Sequence, residues 1–236
     1  MLLASRFLFF RLVYLSIRLS GCVLSNFSLK QLDEMYMQRA INLASDHLGK
    51  TAPNPTVGCV IVENGRVISE AVTGIGGNPH AEQKALEQVA GKNLSRAAVY
   101  VTLEPCCSRS SGAPGCSDRL INSGVERVVI AQEDPHPTAN GGIAKLNKAG
   151  MIVSVGILEQ EAAFLTEGFF RLLRTGKPLL KISRDNIGYD AELHLLGGET
   201  PEQALLRCGK EGKTRLFVRA GSKLANECKM AGLIGA

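Results

Sequence analysis

AAVYVTLEPCCSRSSGAPGCSDRLINSGVERVVIAQ, residues 97–132, reads as strand, loop, helix, strand. AAVYVTLE (97–104) is apolar and β-rich up to Pro105. CSDRLINSG (116–124) is a short helix stopped by Gly124, and VERVVIAQ (125–132) returns to strand composition. Two strands joined through a helix belong side by side and parallel in one sheet. The connection carries three cysteines, Cys106, Cys107 and Cys116, and a disulfide, a metal or a reactive thiol are all open at this point.

Working outward, the pattern repeats. Downstream, IAKLNKAG (143–150) is a helix closed by Gly150, MIVSVGI (151–157) a strand, and LEQEAAFLTEGFFRLL (158–173) a helix. Upstream, HAEQKALEQV has helical character, and VGCVIVENGRVISEAV (57–72) is a hairpin around Asn64-Gly65, a pair that accepts positive φ at both turn positions. Met37, Ala40, Ile41, Ala44 and Leu48 follow helical spacing before Gly49. The expected fold is α/β, a three-layer α-β-α sandwich on a mixed sheet whose far half is largely parallel.

The chain has 236 residues and 45% apolar content, enough to build real cores. Its seven cysteines lack the dense even spacing of a secreted disulfide scaffold and point to a reducing compartment. The net charge is +5, but Arg6, Arg11, Arg18 and Lys30 precede the first acid, Asp33, so four of those charges sit in the leader. The body is nearly neutral, which argues against nucleic acid as a partner. The leader's apolar stretches are broken by arginines and fall short of the roughly 20 residues a membrane span needs. It reads as an over-extended start with Met35 or Met37 as the true beginning, or else as an organelle transit peptide or a poor signal peptide. The domain plan is a poorly ordered leader over 1–34, a main domain over 35–176 ending near RTGKP, and a short segment over 177–236.

His80-Ala81-Glu82 gives the cysteines a purpose. A catalytic zinc takes three protein ligands and keeps one position open, and one histidine with two thiolates is such a set. A glutamate two residues after the histidine can reach water held there and shuttle its proton. Helix starts near these residues favour the thiolate form.

APNPTVGCVIV (52–62), NPHAEQKAL (78–86), VYVTLEPC (99–106), DRLINSGVERVVIAQEDP (118–135), LNKAGMIVSVGIL (146–158) and GFFRLLRTGKP (168–178) resemble the cytidine-deaminase-like zinc hydrolases. Within them they are most similar to the riboflavin-biosynthesis pyrimidine deaminases. The resemblance implies zinc as cofactor, with His80, Cys106 and Cys116 as ligands, and Glu82 as the group relaying a proton during hydrolytic deamination. Cys106 is chosen over Cys107 because the Glu-Pro before it fixes where it points, while a loop absorbs an extra residue cheaply. The implied substrate is a pyrimidine ribosyl phosphate, with Asn54 on the ring. Where the family loop has a histidine and a basic residue, CSRSSGAPGC keeps Arg109 as its cation, and DPHP places His136 where an asparagine is usual.

KPLLKISRDNIGYDA (177–191) and GKTRLFVRAGSKLANECKMAGLIGA (212–236) resemble the start and a late part of the reductase fused to many such deaminases. So short a piece is expected to lack reductase activity. The remaining expectations are a homo-oligomer, no membrane partner, and a cytoplasmic address, or an organellar one if the leader is a transit peptide. The competing functions are another nucleoside or tRNA deaminase, or a degenerate chain that keeps zinc for folding.

Overall fold

The computed structural model describes residues 27–109, 112–136 and 139–235. The expectations for residues 1–26 therefore lie outside the described residues. Helix α1 (Leu29–Ser45) opens with a reciprocal cap. Ser28 N–H donates to Gln31 Oε1 at 2.8 Å, and Gln31 N–H to Ser28 Oγ at 3.3 Å, which satisfies two donors that a helix start leaves open. The helix thus begins ahead of the boundary at residue 34. Asp33, assigned to the leader above, is 3% exposed and belongs to the folded body.

Strands β1 (Gly58–Glu63) and β2 (Arg66–Val72) pair antiparallel across Asn64 and Gly65, whose φ values of 49° and 73° suit a tight hairpin turn. Helix α2 (Ala81–Gln88) leads to β3 (Ala97–Val101), which pairs antiparallel with β1. Then follow α3 (Cys116–Ser123), β4 (Arg127–Ile130), α4 (Gly142–Lys148) and β5 (Ile152–Val155). β3, β4 and β5 run parallel, and the sheet order is β2-β1-β3-β4-β5. The mixed sheet with a parallel far half is as expected. β3 stops at Val101 rather than Glu104: Thr102 turns its hydroxyl back to accept the Gly58 N–H at 3.1 Å.

Alternation along the strands separates the layers. Cys59, Ile61, Val99, Val101, Val128 and Ile130 face a core shared with Ala81 and Ala85 of α2, Leu120 of α3 and Leu146 of α4. Residues of opposite parity face α1. Tyr100 donates its hydroxyl to Asp33 Oδ1 at 2.9 Å, and Arg127 grips both carboxylate oxygens of Asp33 at 2.6 and 2.8 Å.

Helix α5 (Glu159–Thr175) ends at Gly176 and leads to a second, parallel sheet. This sheet contains β6 (Leu179–Ser183), β7 (Ala191–Glu192) and β8 (Arg215–Arg219) in the order β6-β8-β7, with α6 (Pro201–Lys210) and α7 (Lys223–Met230). Its own core joins Leu180, Leu193, Leu205, Leu216 and Val218 to Cys208 and Cys228. Residues from Asp33 onward cluster as one unit despite the two sheets. Among the described residues, no helix is long and apolar enough to cross a membrane.

Candidate metal centre

His80 is the N-cap residue of α2, with extended backbone and no capping bond from its side chain. Its ring is therefore available, and Nδ1 lies 3.3 Å from Cys116 Sγ and 3.7 Å from Cys106 Sγ. Cys106 follows the end of β3, and Cys116 is the first residue of α3. Two helix starts and one strand end thus meet at the carboxyl edge of the sheet, the usual place for a ligand in such folds.

The turn between the two cysteines is built for close approach. A Cβ on Gly115 would stand 2.7 Å from the Cys106 carbonyl oxygen and 2.6 Å from that of Cys107, so only glycine fits. Buried Ser117 donates its N–H at 3.2 Å and its hydroxyl at 3.1 Å to the Cys106 carbonyl. The Cys116 N–H, at the start of α3, points at Cys106 Sγ at 3.3 Å.

These contacts set the charge. Cys106 is held down to about 4, chiefly by a hydrogen bond from the Cys116 thiol, which with His80 and the Cys116 N–H outweighs burial. Cys116 is pushed up, first as the donor in that pair and then by burial and the nearby Glu82. Glu82 is 3% exposed, and burial raises its carboxyl above the usual range.

Donor chemistry and spacing fit zinc. One nitrogen and two sulfurs all lie within 4.8 Å of one another, and a tetrahedral ion with ordinary Zn–N and Zn–S bonds holds such atoms about 3.6 Å apart. The 3.3 and 3.7 Å separations straddle that value. Cys107 stands outside the group: its N–H is bound to Ala139 O at 2.9 Å, and its sulfur faces Gly141.

The other predicted residues fall as follows. Asn54 donates Nδ2 to Gly77 O at 3.0 Å, so its amide links the PNP turn to the turn before His80 and does not close a local loop. Arg109 reaches Gln83 Oε1 at 3.0 Å and Asn78 Oδ1 at 2.8 Å, tying its loop to the start of α2. His136 stacks on Phe169 of α5, with ring centroids 6.2 Å apart.

Sequence reasoning missed Glu104. Its buried carboxylate accepts the N–H groups of Asp134 at 3.1 Å, Gly141 at 3.0 Å and Ile143 at 2.9 Å, which caps α4 and folds the 134–143 loop beside the cysteines. An acid directly before the Pro-Cys pair was the available signal. Ser117 and Gly115 carried none. A cavity of about 320 Å³ lies away from this group, at the second sheet, where Asp185, Asn186, Tyr189, Glu192 and Arg219 are among its walls.

Comparison with known proteins agrees with this geometry. Residues 30–132 match the cytidine and deoxycytidylate deaminase zinc-binding region. A diaminohydroxyphosphoribosylamino-pyrimidine deaminase of Buchnera aphidicola is 40% identical over 147 residues, which are 62% of this chain and 99% of that protein. The chain belongs to this deaminase family. It carries the family's zinc-binding region, so zinc is its metal. The riboflavin biosynthesis protein RibD of Aquifex aeolicus is 42% identical over 155 residues, 65% of this chain and 43% of that protein. The chain thus matches about two fifths of the length of that relative. The crystal structure of a deaminase/reductase of the same kind from Thermotoga maritima superposes with a TM-score of 0.76 at 25% identity, covering 86% of this chain and 85% of the other.

Proposed function

We propose that the chain is a zinc-dependent hydrolase that deaminates 2,5-diamino-6-(ribosylamino)-4(3H)-pyrimidinone 5'-phosphate in riboflavin biosynthesis. The observation that carries this reading is the meeting of His80 Nδ1 with the sulfurs of Cys106 and Cys116 beside a buried Glu82. Those three residues would hold the ion, and Glu82, two positions beyond His80, faces the Cys116 side of the group. When bound, zinc supplies the Lewis acidity that brings the pKa of a water towards neutrality.

Glu82 would take a proton from the attacking water at its carboxylate oxygen and pass it to the adjacent ring nitrogen, then move the remaining proton of the new hydroxyl to the departing amino nitrogen. A carbon–oxygen bond forms, the carbon–nitrogen bond breaks, and ammonia leaves as the ring carbon becomes a carbonyl beside a protonated ring nitrogen. Burial favours the protonated Glu82, so this carboxyl is suited to holding the proton between the two transfers. Asn54 would orient the ring. Arg109 would bind the phosphate from where Asn78 and Gln83 hold it, since a guanidinium has more donors than those two bonds use. His136 is the third substrate contact in this reading.

In the same reading residues 35–176, extended back to Asp33, form the deaminase domain, and 177–236 are a reductase-like segment without reductase activity. Three strands and two helices are less than the paired βαβ halves that cradle a dinucleotide. The enzyme is taken to be a cytoplasmic homo-oligomer acting on a small molecule, with no nucleic-acid or membrane partner.

The test is zinc content per chain together with ammonia release from the riboflavin intermediate, from cytidine and from tRNA. Release is expected with the first substrate alone. Glu82→Gln should lower turnover by about a hundredfold or more while zinc stays bound. Zinc without turnover on any substrate would favour a folding role for the metal, and an active Glu82→Gln would sink the proton path.

A further inference from the structure

The stretch from Gly49 to Asn54 is held from two sides. On one side stands the turn before His80, where Asn54 Nδ2 meets Gly77 O at 3.0 Å and a Cβ on Gly77 would lie 2.4 Å from that same nitrogen. Thr51 reinforces this from within: its hydroxyl lies 3.1 Å from the Asn54 carbonyl oxygen and 2.7 Å from the Thr56 hydroxyl.

On the other side stands the second sheet. A Cβ on Gly49 would lie 2.5 Å from the Tyr189 carbonyl oxygen, and a Cβ on Gly212 would lie 2.9 Å from Pro53 Cβ. Backbone therefore packs on the loop with no side chain between. Both glycines have φ of +79°, so these contacts need glycine twice over.

The two supporting stretches are cross-linked through one carboxylate. Asp190 Oδ2 accepts the N–H of Thr214, the hydroxyl of Thr214 at 3.0 Å and the N–H of Arg215 at 2.9 Å. The Asp190 N–H donates to Arg215 O at 2.8 Å, and Arg215 Nε donates to Gly188 O at 3.1 Å. The joined block is then fixed to α5, the helix that precedes the second sheet. Arg215 Nη1 reaches Phe164 O on α5 at 2.9 Å, and a Cβ on Gly168 of α5 would stand 2.5 Å from Thr214 O.

We infer that Asp190 is a positioning residue for the deaminase site, acting through Tyr189–Gly49 and Gly212–Pro53 to hold the loop that carries Asn54. This rests on the reading of Asn54 as the ring contact. The second sheet then serves the first as a fixed backing, whatever chemistry of its own it has. Without the Asp190 carboxylate, the 214–215 N–H groups lose their acceptor, the 212–215 turn relaxes away from Pro53, and Asn54 is held from one side alone. The loss falls on ring binding and not on the proton transfers, so KM moves more than kcat.

The experiment uses the full zinc-loaded chain. Asp190→Ala should raise KM for the riboflavin intermediate by about tenfold with kcat within about twofold. Zinc content should be unchanged, and amide hydrogen exchange across 49–54 should be faster. Asp190→Asn, which keeps one carbonyl acceptor, should recover most of both effects. Unchanged exchange across 49–54 in Asp190→Ala overturns the inference, as does a parallel loss of kcat and zinc. Should Asp190→Ala not fold, Gly212→Ala reads the same contact from the other partner: faster exchange over 49–54 supports the backing, and exchange like the parent's overturns it. If the parent releases no ammonia, the proposed activity fails while the exchange measurement still decides the role of Asp190.

Discussion

The two sheets end alike and are finished differently. Each has parallel strands whose carboxyl edge runs into a loop and a helix: β3 into Cys106 and α3 in one, β8 into Ala220-Gly221 and α7 in the other. At the first edge the ionisable groups are buried. Glu82, Cys106 and Cys116 are at most 8% exposed, they meet a histidine, and burial or a shared proton displaces each of them from its ordinary pKa. At the second edge Arg219 is 61% exposed in its side chain and pairs with Glu192 at the rim of a cavity. A parallel strand that runs into a helix thus occurs in both sheets, but of these two edges only the first brings together buried groups that a cation would stabilise. Function follows that placement and not the strand order.

The largest effect should come from breaking the first edge. Cys106→Ala is expected to remove nearly all bound zinc and all ammonia release, since it leaves two of the three protein donors that a catalytic zinc takes. The adjacent Cys107→Ala should keep both close to the parent's values, because that sulfur faces Gly141 and not His80. Metal analysis of the two purified variants measures the contrast. Retention of zinc in Cys106→Ala, or its loss in Cys107→Ala, would mean that the loop exchanges one sulfur for the other.

Much of the five-stranded sheet and its helices was legible, because each element announces itself locally. Asn64-Gly65 fixed the hairpin, Gly124 and Gly150 closed their helices, and β-rich runs marked β3, β4 and β5. The proposed ligand set, His80, Cys106 and Cys116, which the fold brings within 4.8 Å of one another, could be picked out for another reason: these residue types have few alternative uses when they occur together. What escaped were residues whose role depends on distant partners. Glu104 looks like any acid until the 134–143 loop folds over it, and Asp33 looks like leader until Arg127, 94 positions away, is brought to it. Periodicity reports which face is buried and says nothing of a charge buried with its partner.

Asp33 therefore offers the second contrast, between an interior ion pair and a surface one. Its side chain is 5% exposed and that of Arg127 is 15% exposed, and both arms of the guanidinium are used. Asp33→Ala leaves a buried cation without its anion and should cost about 3–5 kcal/mol in urea unfolding. A cost under about 1 kcal/mol would place the pair with solvated ones.

The smallest effect is expected at the second edge, and its smallness is the point. Arg219 and Glu192 lie 2.8 Å apart, but the arginine is mostly in solvent, so water competes for both groups and salt screens what remains. Arg219→Ala should lower stability by no more than about 0.5 kcal/mol, which in a chain of this size moves Tm by about 2 °C or less. Deaminase turnover should not change, because the exposed Arg219 pairs with Glu192 while the 49–54 loop rests on the backbone of Tyr189 and Gly212. A thermal melt and an ammonia assay on one preparation read both. If Arg219→Ala instead disturbed turnover, the rim of the second crevice would be coupled to the first site, and the contrast between a charged site and a passive backing would fail.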